Sequence, residues 1–172
     1  MKIKMNKKLA LFTLLSCSLF STTSFATNID ITGTVVASPC TVNGGQASLA
    51  VKLGDSIQAD SLATAGSATE WKDFTLELSN CPASTSSFSV TFSGTADDDA
   101  NFYKNTGNAT NLKLELTNQT GDTKYNNGAF LKNITIPSTH TYSLPLRTRA
   151  VSKGNVMPGT IEGQVQATFT WQ

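Results

Sequence analysis

Gly159-Thr-Ile-Glu-Gly-Gln-Val-Gln-Ala-Thr-Phe-Thr-Trp-Gln172 alternates without a break. Ile161, Gly163, Val165, Ala167, Phe169 and Trp171 occupy one face. Glu162, Gln164, Gln166, Thr168, Thr170 and Gln172 occupy the other. Alternation of period two over this length predicts a half-buried β-strand, because successive side chains of a strand point to opposite sides of its sheet. A domain that stops there is expected to have no following strand to cover that edge. A second alternating stretch, Ile29, Ile31, Gly33 and Val35, stands ahead of Cys40 at the other end of the chain. An edge without cover and a strand without a home are expected of a domain completed by a neighbour.

Between these ends the sequence is rich in Thr, Ser, Asn and Gly, and no helical periodicity runs for any length. Short alternating runs are punctuated by turn residues, as in an all-β sandwich. Thr27 to Ala37 is the first run. Thr41 to Leu53 follows, interrupted by Asn43-Gly44-Gly45. Residues 55–70 are small and polar and read as a long connection with a short helical turn. Phe74, Leu76 and Leu78 mark a strand, as do Phe88, Val90 and Phe92, and then Leu112, Leu114 and Leu116. A weaker stretch spans Tyr125 to Ile136. Tyr142, Leu144, Leu146 and Ala150 mark another strand, whose Pro145 predicts a sheet edge or bulge since proline cannot donate to a ladder. About seven strands with Phe, Leu, Val and Ile inward suffice for a two-sheet core.

The N-terminus reads as a secretory signal. Lys2, Lys4, Lys7 and Lys8 precede an apolar run from Leu9 to Phe20, too short to span a bilayer comfortably, and Ser24-Phe25-Ala26 is a small-x-small cleavage site. Leu14-Leu15-Ser16-Cys17 is a poor match to a lipoprotein cleavage site. The expected organisation is a signal peptide over 1–26, an N-terminal extension over 27–37 and one domain over 38–172. The mature 146 residues carry nine Lys+Arg against twelve Asp+Glu, a net charge of −3 without a basic stripe. This charge pattern argues against nucleic acid as a partner, and no segment predicts membrane insertion. Cys40 and Cys81 remain, an even count behind a secretory signal, which predicts one disulfide.

Residues for catalysis or metal binding are sparse. His140 is the single histidine, beside Ser138 and Thr139 in a polar turn, and no Cys-x-x-Cys spacing occurs. Asp97-Asp98-Asp99 lacks the loop spacing and the distal glutamate of a calcium site and reads as a solvated loop. Trp71 reads as packing at the edge of a core rather than as a sugar platform. The expectation is a non-catalytic protein without metal or cofactor.

The segments GTVVASPCTV at 33–42, Leu53-Gly-Asp55, WKDFTLELSNCP at 71–82, FSGTAD at 92–97 and FYKN at 102–105 resemble the pilin subunits of chaperone–usher fimbriae, and among these the small adaptors of the pilus tip. Gly159, fourteenth from the end, and the penultimate aromatic Trp171 fit that family's terminal pattern, although tyrosine is its usual aromatic. The resemblance implies an all-β fold, an incomplete immunoglobulin-like β-sandwich lacking its last strand and completed by a donor strand from a partner. It implies Thr27, Ile29, Ile31, Gly33 and Val35 as donor positions. The acceptor groove would lie along Gly159, Ile161, Gly163, Val165, Ala167, Phe169 and Trp171. The implied partners are neighbouring pilin subunits, a periplasmic pilus chaperone and an outer-membrane usher, and the implied role is a minor or adaptor subunit of a surface fimbria supporting adhesion. A major rod pilin and a self-complemented secreted binding domain are the alternatives.

Overall fold

The computed structural model describes residues 28–172. The predicted signal peptide and donor position Thr27 lie outside them. Two units are distinguished, the stretch ending at Thr34 and Val35–Gln172. Residues 28–34 contain no strand, and Ile29 and Ile31 are 83% and 91% exposed.

Val35–Gln172 is all-β. Eight strands follow in order: β1 (Thr41–Val42), β2 (Lys72–Ser79), β3 (Ser87–Gly94), β4 (Tyr103–Lys104), β5 (Leu112–Asn118), β6 (Phe130–Thr135), β7 (Tyr142–Ser152) and β8 (Val165–Trp171). They form a five-stranded sheet of order β1-β2-β7-β5-β4 and a three-stranded sheet of order β6-β3-β8. The strand pairs are antiparallel. Most of the predicted inward residues of β2, β3, β5 and β7 meet in one core, in which Phe88, Val90, Phe92, Leu78 and Leu146 are essentially inaccessible, while Leu112 and Ala150 fall outside it. A smaller cluster gathers Leu62, Ala109, Leu112 and Ala150. Leu62 closes the 3-10 turn Ala59–Leu62, the helical turn expected within residues 55–70.

Three expectations need correction. The run from Thr41 to Leu53 is a strand only over Thr41–Val42. The 3-10 turn Asn43–Gly45 follows, with Gly44 at φ +64°, and among the described residues no strand pairs with 46–58. Pro145 does not mark an edge strand, since β7 lies between β2 and β5. It is tolerated because β5 pairs β7 only as far as Asn118 opposite Leu146, so the ladder on that side has ended where Pro145 begins. The terminal strand begins at Val165 rather than Gly159. Gly94, opposite Val165, is the last residue of β3. Ahead of that point the carbonyls of Thr160 and Glu162 accept from the backbone N–H of Ala109 (3.0 Å) and Thr106 (2.8 Å). The alternation is therefore one extended segment that leaves the loop at 105–109 and then joins the other sheet.

Cys40 and Cys81 form the predicted disulfide. It ties the start of β1 to the turn after β2. The Thr85 hydroxyl adds a 2.6 Å hydrogen bond to the carbonyl of Ser38.

Candidate functional site

Each sheet has two end strands, and they are protected unequally. A free strand edge presents unpaired N–H and C=O groups, which proteins blunt by shortness, lysine, proline or a bulge. β1 and β4 are two residues long. β6 carries exposed Lys132, and its ladder to β3 shifts register between Phe88 and Val90, beside Asn133 at φ +53°. β8 has seven residues in unbroken register with β3, and it holds no lysine, proline or bulge. Its second edge pairs with nothing among the described residues.

Burial along β8 shows what is missing. Val165, Ala167, Phe169 and Trp171 face inward yet are only half-buried, while inward Phe88, Val90 and Phe92 of neighbouring β3 are sealed. A groove of about 1650 Å³ runs beside β8. Val165, Ala167 and Phe169 of β8 line it, as do Val51 and Leu53 of the unpaired 46–58 segment. Phe74, Phe92, Leu114 and Leu146 lie among its lining residues from the two sheets. Leu49 and Met157 also line it and are exposed large apolar side chains. Gly159, Ile161 and Gly163 precede β8 and border the groove near its start. Ile161 packs onto the Leu62–Ala109–Leu112 cluster. Trp171 falls beyond the groove lining, stacked on Phe169 with ring centroids 5.5 Å apart.

The other signals resolve into packing and ion pairing. Both arginines of β7's outer face lie against the Trp71 ring, the guanidinium carbons of Arg147 and Arg149 at 4.2 and 4.1 Å from its centroid. Arg149 and Lys124 each reach the buried Glu115 carboxylate at 2.8 Å. Burial pushes that carboxyl up, but hydrogen bonds and charge from Lys124 and Arg149 outweigh burial and hold it below its ordinary value. Asp99 takes Lys113 at 2.8 Å, which lowers its carboxyl to about 2, and Asp97 takes Lys153 at 2.6 Å. The aspartate run is thus matched by lysines. Among the described residues no cluster of His, Cys, Asp and Glu could hold a metal ion.

What this arrangement can do is take up an extended segment. Such a segment would find unpaired backbone groups along β8 and apolar surface beneath. Comparison with known proteins points the same way. The model of the fimbrial protein family matches residues 29–172. The chain is 41% identical to protein FimG of Escherichia coli K12, over 90% of this chain and 91% of that one. Among solved structures, the P pilus rod subunit PapA superposes with a TM-score of 0.62 at 18% identity, covering 84% of this chain and all of PapA. The P pilus adaptor subunit PapF superposes with a TM-score of 0.51 at 16% identity, covering 79% and 98%. The chain belongs to the fimbrial protein family and is a structural subunit of a bacterial surface fimbria.

Proposed function

We propose that this protein is an adaptor-type minor pilin that joins two neighbours by strand donation and supports cell adhesion. The observation that carries the reading is the unprotected edge of β8 beside a groove lined by half-buried Val165, Ala167 and Phe169, in a chain whose own N-terminal stretch holds exposed Ile29 and Ile31. Residues 27–37 act as the donor, with Thr27, Ile29, Ile31, Gly33 and Val35 on the inserted face. Eleven residues at strand rise reach about 36 Å, enough for the length of a sandwich. Residues 38–172 act as the acceptor domain. Val165, Ala167 and Phe169 receive the inserted side chains, and Gly159, Ile161, Gly163 and Trp171 bound the two ends.

Within the cell, a periplasmic chaperone covers the groove until, at the usher, the next subunit's extension replaces it. An exposed edge over apolar surface is an aggregation hazard, which is the physical need for the chaperone. Because the donating and accepting surfaces differ, joining is head-to-tail and open-ended. The adaptor position rests on the sequence resemblance, since rod and adaptor subunits share this fold. No step needs a cofactor. The test is to refold the mature chain with and without a peptide of residues 27–37 and follow melting and size. The expected result is a marginal or aggregating protein that the peptide converts into a stable monomer. A stable monomer indifferent to the peptide overturns the reading in favour of a self-contained binding domain.

A further inference from the structure

The two sides of the groove are held differently. On the 46–58 side, no backbone hydrogen bond is made between Ala47 and Ile57 among the described residues, and Leu53 and Ile57 anchor the segment by packing on the Leu62–Ala109–Leu112 cluster. On the β8 side, the segment leading into the strand is clasped by side chains from the loop after β4. Asn105, 8% exposed, uses both ends of its amide. Its Oδ1 accepts from the backbone N–H of Glu162 (2.8 Å) and of Gly107 (3.2 Å). Its Nδ2 donates to the carbonyls of Ala109 (2.7 Å) and Thr160 (3.4 Å). Asn108 completes the clasp, its Oδ1 accepting from the backbone N–H (2.5 Å) and hydroxyl (3.0 Å) of Thr160. The two chains approach so closely that a Cβ on Gly107 would overlap Thr160, and one on Gly159 would overlap the backbone of Asn108 and Ala109.

The clasp ends at Glu162, and β8 begins three residues later. Without a second partner strand, β8 is laddered on one side only, so its start is where fraying would begin. We propose that Asn105 is a positioning residue for strand capture. By holding Thr160 and Glu162 against the loop at 105–109, it sets the start of β8 before the incoming strand arrives. An association step whose template is already ordered proceeds without waiting for it to form, so the residue acts on the rate of capture. The inference rests on the groove being the acceptor site.

The experiment measures association and dissociation rates of the 27–37 peptide on the mature chain, wild type and variants. Wild-type binding tests the groove reading by itself, so its failure is distinguishable from failure at Asn105. Asn105→Ala is expected to slow association about tenfold, as loss of several partly redundant hydrogen bonds would, while dissociation changes less than about threefold. Asn105→Asp keeps the Oδ1 acceptor and loses both donors, and is expected to fall between. Should Asn105→Ala fail to fold, Thr160→Val removes only the hydroxyl contacts to Asn108 and is expected to slow association at least about twofold. An Asn105 that merely stabilises the fold would lower the melting points of empty and peptide-filled protein alike and leave association unchanged. That result, in whichever variants fold, overturns the proposal.

Discussion

Replacing Ile31 by alanine in the donor peptide puts the proposed register to a quantitative test. Ile31 is 91% exposed in this chain, so nearly all of its side-chain surface is available for burial when the extension is inserted. Truncation to alanine removes three carbons, each worth about 0.8 kcal/mol on full burial, and the open rim of the groove lowers the total to about 2 kcal/mol. Affinity differences among related complexes fall mostly on dissociation, so the peptide should leave about thirtyfold faster. Thr32 is adjacent in sequence and lies on the opposite face of the inserted strand, so Thr32→Ala should change the free energy by less than about 0.5 kcal/mol. Ile29→Ala should match Ile31→Ala, and with few shared partners the double change should lose about 4 kcal/mol. Peptides of residues 27–37 competing on the refolded mature chain, read by fluorescence anisotropy, give all four values. Equal losses at Ile31 and Thr32, or losses under about threefold at both isoleucines, would refute strand insertion with this face inward.

Two further outcomes concern the scaffold. Reducing the Cys40–Cys81 disulfide, which spans 41 residues, should lower the stability of the peptide-filled protein by about 4 kcal/mol on the chain-entropy model, read as a shift in urea midpoint with and without reductant. The Glu115 carboxyl is held below its ordinary value, so the stabilisation it contributes is fully present above its unfolded pKa of about 4.3 and is lost as pH falls through and below that value. Glu115→Gln should therefore destabilise by about 1–3 kcal/mol at pH 7, by much less at pH 3, and flatten the acid limb of the stability profile. An equal loss at both pH values would show that the charge on Glu115 is immaterial.

Much of the sandwich was legible because buried strands announce themselves by alternation. Phe74-Leu76-Leu78, Phe88-Val90-Phe92 and Leu112-Leu114-Leu116 each became a strand on the face that their spacing dictates. The half-buried face of β8 was legible too, since an alternating segment must bury one face somewhere. Two features escaped for the same reason, namely that alternation reports extended backbone and not its partner. Ile161 alternates as faithfully as Phe169, yet the backbone around it bonds to the loop at 105–109 and its side chain joins a different apolar cluster. Leu49, Val51 and Leu53 alternate without any ladder beside them. The Asn105 clasp left no periodic trace, since an asparagine amide in a loop between strands looks like any other turn residue until the chains it joins are seen together. The close pair of Gly107 and Gly159 was the available hint, as glycine often marks a place where two backbones approach.

The polarity of the chain explains why a strand at its own N-terminus would serve a neighbour better than itself. Cys81 follows the end of β2, β3 begins soon after, and Trp171 at the end of β8 lies opposite Phe88 near the start of β3. The disulfide thus fixes the root of the extension at the pole where β8 finishes. A strand reaching from that root into its own groove would run in the same direction as β8. Parallel pairing is somewhat weaker per residue, and the strand pairs of this chain are antiparallel. An extension from another copy carries no such constraint and can enter antiparallel to β8. Grafting residues 27–37 after Gln172 through a short hairpin turn would return the strand along β8 in that orientation within one chain. The grafted protein, with its natural extension removed, should be a stable monomer whose melting point no longer responds to added peptide. A graft that still needs the peptide would mean that orientation does not decide which strand fills the groove, and the head-to-tail logic would have to rest on the chaperone and usher alone.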